Sequence, residues 1–215
     1  MPDARLEKSK VPDTYRKVAR IYDLWARLTE SKARDRCLEL AAIQDGEAVL
    51  EVAVGTGLAF EKILQANSSG RIEGIDLTDG MLARAERRAA ATGQTNFRLS
   101  IGDAYDLDFA DDSFDVLINN YMFDLLPEQD FPKVLAEFKR VLRPGGRLVM
   151  VNMTNGQRWY NGIWTLIYEI KPALLGGCRG VSLTDHLQDS GFQQTEREYV
   201  SQFTFPSEVI TGFNR

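Results

Sequence analysis

The chain has 215 residues and a formal net charge of −5, because 31 aspartates and glutamates outnumber 26 lysines and arginines. Its length is about 1.4 times the ~150 residues typical of one domain, so we expect a single domain with additions. The acidic excess disfavours electrostatic binding to nucleic acid, and a content of 44% hydrophobic and 27% charged residues argues against long disorder and a membrane-embedded fold.

The two cysteines, Cys37 and Cys178, are too few for a disulfide framework or a zinc cluster. The first residues of the chain are charged where a signal peptide has an apolar run, and no stretch offers the ~18 consecutive apolar residues of a transmembrane helix. We therefore expect a cytoplasmic protein with free thiols, no metal site and no transmembrane segment.

Apolar side chains in the N-terminal region recur every three or four residues, which predicts an amphipathic helix. They are Tyr15, Val18, Tyr22, Trp25 and Leu28. The apolar face of this helix is expected to cover another surface of the protein.

Short apolar runs then alternate with segments of helical periodicity. The predicted strands are residues 48–54, 72–75, 97–101, 114–119 and 147–153. The predicted helices are residues 59–66, 80–91, with Asp79 as its cap, and 129–142, which ends at the Arg-Pro-Gly-Gly segment 143–146. This alternation predicts βαβ units and a parallel sheet.

The C-terminal part differs in character, since aromatic residues crowd into residues 159–170. We consider a buried helix, a lid over an acceptor pocket and an interfacial membrane helix, and the few lysines and arginines in this stretch weigh against the last. Residues 199–205 and 209–213 are predicted to be strands joined by a turn at Pro206 and Ser207, which form an antiparallel edge.

The most informative segment is residues 49–60, in which a buried strand runs into Gly55-Thr56-Gly57. Glycines at this point let the backbone approach a ligand closely. The dinucleotide fingerprint needs a glycine where Phe60 stands, and no Gly-Lys-Ser/Thr follows, so a pyrophosphate ligand is disfavoured. The turn suits a ligand without a pyrophosphate, next to the acidic Glu51.

Polar residues follow the ends of the next predicted strands. Asp76 comes 19 residues after Gly57, close to the ~20 at which an acid reaches ribose hydroxyls in nucleotide-binding folds. Asp103 follows the third strand and Asn119 ends the fourth. Because open α/β sheets bind ligands at this edge, the sequence predicts a nucleoside-binding site there.

These motifs, in this order, resemble the class I S-adenosylmethionine-dependent methyltransferases. The segments that carry the resemblance are LEVAVGTG, GIDLTDGMLARA, IGDAYDLDFADDSFDVLINN and EFKRVLRPGGRLVMVN, within residues 48–153. The Tyr22-Asp23 pair is most similar to the ubiquinone/menaquinone-biosynthesis C-methyltransferase branch, and the aromatic C-terminal part also resembles bacterial phosphatidylethanolamine N-methyltransferases. One departure is Ala53, where the family's loop has its first glycine.

The resemblance implies an α/β, Rossmann-like, doubly wound and mostly parallel seven-stranded sheet of order 3-2-1-4-5-7-6. An antiparallel C-terminal strand and an N-terminal helical lid complete this expected fold. The expected single domain has a helical cap over residues 1–45, a cofactor-binding core over 46–153 and a substrate side over 154–215.

The resemblance further implies S-adenosylmethionine as cofactor and S-adenosylhomocysteine as product. Glu51 is expected to act on the methionine amino group, Asp76 on the ribose and Asp103 on the adenine amino group, while Tyr15 and Tyr22 close over the cofactor. The other residues that the resemblance assigns to the cofactor are Ala53, Gly55, Gly57, Leu77, Met81, Ala104 and Asn119.

For catalysis, the resemblance points to the region after the fourth strand. Tyr121 is expected to face the transferring methyl group. Asp124 is a candidate general base, and its alternative interpretation is an N-cap of the next helix. The single histidine, His186, is expected to be a surface or capping residue. In-line displacement mainly requires positioning, which can contribute ~7–11 kcal/mol.

Three function hypotheses stay open. The first is methyl transfer to an apolar or aromatic small molecule, quinone-like or similar. The second is N-methylation of a phospholipid head group, and the third is a non-catalytic S-adenosylmethionine-binding regulatory module. Peripheral membrane contact and a monomeric or homodimeric state are left open as well.

Overall fold

The computed structural model describes residues 26–157 and 178–215. The predictions made for Tyr15, Tyr22 and the aromatic stretch 159–170 lie outside these described residues. Helix α1 spans Ser31–Ala41.

The strands form one seven-stranded sheet. They are β1 (Val49–Val52), β2 (Ile72–Asp76), β3 (Phe97–Ile101), β4 (Phe114–Asn120), β5 (Leu142–Met153), β6 (Phe192–Gln202) and β7 (Phe205–Asn214). The order is β3-β2-β1-β4-β5-β7-β6. Strands β1 to β5 pair in parallel, and β7 runs antiparallel to both β5 and β6. The predicted Rossmann-like fold and strand order are confirmed.

Helices cover both faces of the sheet. After α1 they are α2 (Phe60–Ala66), α3 (Asp79–Ala90), α4 (Phe131–Val141) and α5 (Thr184–Asp189). Alternate residues of each parallel strand enter two separate cores, as the period of two requires. Val49, Val116 and Val149 pack on the side of α1, α2 and α3, whereas Leu117 and Leu148 pack on the side of α4 and α5.

Helix α1 buries a face of small side chains rather than large ones. Ala33, Cys37 and Ala41 recur every four residues and are almost fully buried. Cys37 and Cys178 are both buried, and neither forms a disulfide bond within the described residues. In the described parts of the chain, no helix combines the length and apolar character needed to cross a membrane.

The predicted cap of α3 is wrong by one residue. The N-cap is Thr78, which has extended backbone angles, and Asp79 lies in the first helical turn. The reason is the carboxylate of Asp76, whose Oδ1 accepts hydrogen bonds from the Thr78 amide at 3.0 Å and its hydroxyl at 2.9 Å. These bonds hold Thr78 extended, so the helix starts directly after it.

The predicted turn of the C-terminal hairpin is also wrong. The connecting residues are Phe203 and Thr204, with φ of 46° and 67°, and Pro206 and Ser207 belong to β7. Two positive φ values are typical of the two-residue turns that match the twist of a hairpin. Proline has no amide hydrogen to donate, but β7 tolerates Pro206 because its carbonyl is used there. That carbonyl accepts a hydrogen bond from the Thr154 amide at 3.1 Å.

The remaining boundaries shift modestly. Strand β5 starts at Leu142, earlier than predicted, because this residue pairs with Phe114 before a register shift leads to the Val116–Arg147 pair. Strand β6 also starts earlier than predicted, at Phe192. These changes leave the carboxyl ends of β1 to β4 together at one edge.

Candidate active site

The loop after β1 has a backbone that ordinary residues rarely adopt. Ala53, Gly55 and Gly57 have φ of 60°, 58° and 81°. A Cβ added to Gly57 would lie 2.9 Å from the Ala85 Cα of α3, so this glycine permits close helix packing. A Cβ added to Gly55 would meet nothing within 4 Å, so this glycine borders open space. Ala53 adopts the left-handed conformation with a side chain, at a cost of ~1–2 kcal/mol.

Asp76 joins this loop to α3. Its Oδ2 accepts a hydrogen bond from the Gly55 amide at 2.8 Å, while Oδ1 binds Thr78. A carboxylate has about four acceptor sites, so these contacts leave capacity for a ligand hydroxyl. Burial raises the pKa of Asp76, and the hydrogen bond from Gly55 partly offsets this effect.

Two large apolar side chains lie exposed beside Asp76. Leu77 is 45% exposed and Ile101 is 55% exposed. They belong to neighbouring strand ends, since Asp76 pairs with Ile101. Met81 and Ala104 are buried in the same region. Leu77 was a predicted cofactor contact and Ile101 was not, although the position of Ile101 directly before Gly102 and Asp103 was a usable signal.

Asp103 has a local structural contact in addition to its predicted role. Its Oδ1 accepts a hydrogen bond from the Tyr105 amide at 3.1 Å. The residue lies just beyond the end of β3, at the same sheet edge as Asp76. Its position is therefore compatible with the predicted contact to adenine.

A small cavity opens on the other side of the loop, and we call it the strand-end cavity. Its volume is about 40 Å³. Its lining includes Glu30, Arg34, Glu51, Gly55, Asn120 and Tyr121. Helix α1 and the segment before it therefore contribute two charged residues that the sequence analysis did not select.

Charged groups in the strand-end cavity are deeply buried. Glu51 is 1% exposed and Arg34 is 7% exposed. Within residues 26–157 and 178–215, neither Glu51 Oε2 nor Arg34 Nε has a hydrogen-bond partner. Burial raises the pKa of Glu51 to about 8, with the Asn120 amide and the Arg34 charge acting in the opposite direction. Burial likewise raises the pKa of Glu30 to about 8.

The two asparagines at the end of β4 point to opposite faces. Asn119 is buried, and its Nδ2 donates to the Val52 carbonyl at 2.9 Å. Asn120 lines the strand-end cavity, and its Nδ2 lies 3.5 Å from Glu51 Oε1. Asn119 was the predicted cofactor contact, but the cavity is lined by Asn120, because neighbouring residues of a strand point to opposite faces.

Tyr121 is held by a contact with β7. Its hydroxyl lies 2.8 Å from Ser207 Oγ, and its φ is 52°. Burial raises the pKa of Tyr121 well above its ordinary value, and the negative charge of Glu30 adds to the effect. The phenol therefore stays protonated near neutral pH and cannot act there as a general base.

Asp124 lies in a short 3₁₀ turn, Phe123–Leu125, and is fully buried. Its Oδ2 accepts a hydrogen bond from the Met153 amide at 3.1 Å. Burial raises the pKa of Asp124 to about 7. The alternative interpretation as an N-cap is wrong, because the N-cap of α4 is Asp130.

A larger cavity, which we call the helix groove, lies between α4 and α5. Its volume is about 560 Å³. Its lining includes Asp111, Lys139, Arg140, His186, Asp189 and Asn214. Arg140 is paired with Glu137 at 2.7 Å and with Asp111 at 2.8 Å. His186 contacts Glu128 and the Phe131 ring, as expected for a residue outside the catalytic site.

The strand-end cavity is therefore the candidate active site, despite its smaller size. It lies at the edge where α/β sheets bind ligands. The described residues contain no group of three or more His, Cys, Asp or Glu arranged to hold a metal ion.

Comparisons with known proteins identify the family of this chain. Residues 49–146 match a family profile described as a methyltransferase domain. The chain is 30% identical over 199 residues to the demethylmenaquinone methyltransferase of Bacillus velezensis, covering 90% of this chain and 83% of that protein. It is 34% identical over 149 residues to the phosphatidylethanolamine N-methyltransferase of Cereibacter sphaeroides, covering 68% of this chain and 70% of that one.

Other matches are partial or concern the fold alone. Two further methyltransferase relatives are matched over 40% and 46% of their own length. The crystal structure of the [4+2]-cyclase SpnF superposes with a TM-score of 0.76 at 18% identity, over 100% of this chain and 98% of that one. This chain belongs to the class I S-adenosylmethionine-dependent methyltransferases and uses S-adenosylmethionine as its methyl donor.

Proposed function

We propose that this enzyme methylates an apolar or aromatic small molecule of the quinone type at the carboxyl ends of its parallel strands. The observation that carries the proposal is the 30% identity to a demethylmenaquinone methyltransferase over 83% of that protein. An acceptor of this kind needs a flat apolar wall near the methyl group. We assign part of this wall to the ring of Tyr121, which lines the strand-end cavity and is fixed by Ser207.

We propose that the nucleoside of the cofactor lies along the ends of β2 and β3. Asp76 would accept hydrogen bonds from the ribose hydroxyls, and Leu77 and Ile101 would contact the adenine. The exposure of these two side chains supports this assignment, since a base laid on them removes apolar surface from water. The remaining adenine contacts in the proposal are Met81, Asp103 and Ala104.

The methionine end of the cofactor is assigned to the loop after β1. Glu51 would face the ammonium group, because its Oε2 is buried and has no partner in the described part of the chain. The backbone of residues 53–57 would approach the ligand at Gly55, where space is open. Tyr15 and Tyr22 remain predicted to close over the cofactor.

The proposed reaction depends on how the protein positions the methyl donor, the acceptor and a group that takes a proton. When bound, S-adenosylmethionine supplies an electrophilic methyl group on a sulfonium. The protein has to align the acceptor with that group and exclude water, and methylation of a ring carbon also releases a proton. We propose Asp124 as the group that takes this proton, because it lies in the turn that follows the end of β4, three residues after Tyr121, and burial raises its pKa into the range of a general base. Tyr121 then acts as a wall and not as a base.

A second candidate function is N-methylation of phosphatidylethanolamine. The 34% identity to the Cereibacter sphaeroides enzyme, over 70% of its length, supports it. A non-catalytic module that only binds S-adenosylmethionine is the third. The three functions differ in the product formed, so one assay separates them.

The test uses the purified full chain with methyl-labelled S-adenosylmethionine. Separate reactions contain a short-chain demethylmenaquinol analogue in micelles, phosphatidylethanolamine vesicles, or no acceptor. The proposal predicts label in the quinol and none in the lipid. Label in the lipid instead would favour the second function, and tight binding of the cofactor without labelled product from either acceptor would favour the third.

A further inference from the structure

The strand-end cavity contains a buried cation that the mechanism above does not use. Arg34 lies in the first turn of α1 and is 7% exposed. Its Nε has no hydrogen-bond partner among the residues that the structure describes. A buried guanidinium nitrogen without a hydrogen-bond partner is costly, so Nε of Arg34 points to a ligand that completes it.

The neighbouring acids do not neutralise this cation in the free protein. Glu30 and Glu51 line the same cavity, and burial raises the pKa of each to about 8. Near neutral pH both are therefore largely protonated. The charge of Arg34 lowers these pKa values, but by less than burial raises them.

The size of the cavity limits what this ligand can be. Its volume of about 40 Å³ is far below the ~150 Å³ of an engineered cavity that holds benzene. A small polar group such as a carboxylate suits a space of this size, so the ring of the acceptor would lie against the Tyr121 side of the cavity and not inside it. Glu51 in the same cavity offers an acceptor suited to an ammonium group, so the pair matches the two charges of an amino-acid head.

We propose that Arg34 binds the carboxylate of the methionine part of the cofactor, opposite Glu51, which binds its ammonium group. The proposal rests on the cofactor placement given under the proposed function and adds the residue that recognises the carboxylate. Arginine suits this task because its planar fork presents two parallel donors to a carboxylate.

The test compares ligands with and without the carboxylate. S-adenosylhomocysteine and its decarboxylated form, which keeps the amine, are titrated calorimetrically into the wild type, Arg34→Met and Arg34→Lys. The wild type is expected to bind the decarboxylated ligand at least 10-fold more weakly. Arg34→Met should lose at least 10-fold in affinity for S-adenosylhomocysteine and leave the affinity for the decarboxylated ligand unchanged. Arg34→Lys should recover part of the loss.

Several results would overturn this assignment. Equal losses for both ligands in Arg34→Met would give Arg34 a structural role, and no loss for either would place the carboxylate elsewhere. If Arg34→Met does not fold, equal binding of the two ligands by the wild type overturns the assignment by itself. These results leave the proposed function intact, whereas failure of the wild type to bind S-adenosylhomocysteine would overturn both.

Discussion

Arg34 lines the strand-end cavity and Arg140 lines the helix groove, and the hydrogen bonding of the two guanidinium groups differs. Arg140 donates to Glu137, to Asp111 and to the carbonyls of Leu107 and Phe109. Arg34 is more deeply buried, yet its Nε finds no partner in the described ranges.

The acidic residues of the strand-end cavity and the helix groove also differ in burial and in hydrogen bonding. Asp111 in the helix groove is mostly exposed and paired with Arg140. Glu51 in the strand-end cavity is buried, and its Oε2 lacks a partner within the residues described. Cavity volume would favour the helix groove, at 560 Å³ against 40 Å³. Incomplete hydrogen bonding identifies the strand-end cavity instead, because buried polar groups in a folded protein normally have partners.

The largest expected effect is a loss of ligand affinity at Asp76, which is hydrogen-bonded to Gly55 of the strand-end cavity, with no loss in the helix groove. Asp76→Ala should weaken S-adenosylhomocysteine binding by ~1–3 kcal/mol, since ribose hydroxyls would lose a buried acceptor. Asp111→Ala, in the helix groove, is the matched control and should leave the affinity unchanged. Calorimetric titration measures both. Equal losses in the two variants would remove the distinction between the cavities.

The next effect concerns stability and has opposite signs in the two cavities. Arg140→Met should lower the free energy of unfolding by ~1–2 kcal/mol, because it removes hydrogen bonds to carbonyls and carboxylates. Arg34→Met should raise it by roughly 1 kcal/mol in the absence of cofactor, because it removes a buried charge without adequate partners in the described structure. Urea unfolding of the free proteins checks both values. Destabilisation by both variants would contradict the contrast.

A third prediction concerns protons at Glu51. Burial raises the pKa of Glu51 from its ordinary 4.5 to about 8 in the free protein. The folded state therefore holds a proton that the unfolded chain releases, and the associated stability is lost as the pH rises from 4.5 towards 8. An ammonium group beside Glu51 lowers this pKa again, so binding of S-adenosylhomocysteine near pH 7 should release protons.

Titrations at pH 7 in buffers of different ionisation enthalpy measure this release. Glu51→Gln is the control, since it keeps the shape of the side chain and removes its proton equilibrium. Glu30 and Asp124 also titrate near this pH, so the difference between wild type and variant is the decisive quantity. Identical proton release by both proteins would show that Glu51 does not face the ammonium group.

The smallest effect concerns the loop that separates the cavity from α3. Ala53 has φ of 60°, and replacement by glycine should stabilise the protein by up to ~1 kcal/mol because glycine adopts this backbone without strain. Ala59→Gly is the control, because Ala59 has φ of −83° and gains nothing from glycine. Thermal unfolding should show a higher midpoint for Ala53→Gly and a lower one for Ala59→Gly. A lower midpoint for both variants would show that the contacts of the Ala53 methyl group stabilise the protein by more than its backbone strain destabilises it.

Much of the fold could be predicted from the sequence because its signals are local. The apolar runs of β1 to β4 and the glycines after β1 are visible in single segments, and the resemblance supplied the strand order. The turn at Phe203 and Thr204 escaped because neither residue is a usual turn former. Pro206 was misassigned because a proline near the start of a strand needs only its carbonyl.

The residues of the candidate site that lie at strand ends and glycine turns could be predicted from the sequence. The residues that belong to the site because they are buried beside it could not. Asp76 and Gly55 follow from strand ends and are indeed joined by a hydrogen bond. Arg34 could not be recognised from the sequence, because a charged residue in a polar helix is expected to be exposed to solvent. Its burial follows only from the packing of the small side chains of α1 on the sheet. Asn120 was missed because choosing between it and Asn119 requires the register of β4.

The most direct test of this account is a crystal structure of the protein with S-adenosylhomocysteine. The account predicts the ribose at Asp76, the adenine on Leu77 and Ile101, and the amino-acid head between Arg34 and Glu51. Ligand density in the helix groove, or a carboxylate remote from Arg34 with an empty strand-end cavity, would contradict it.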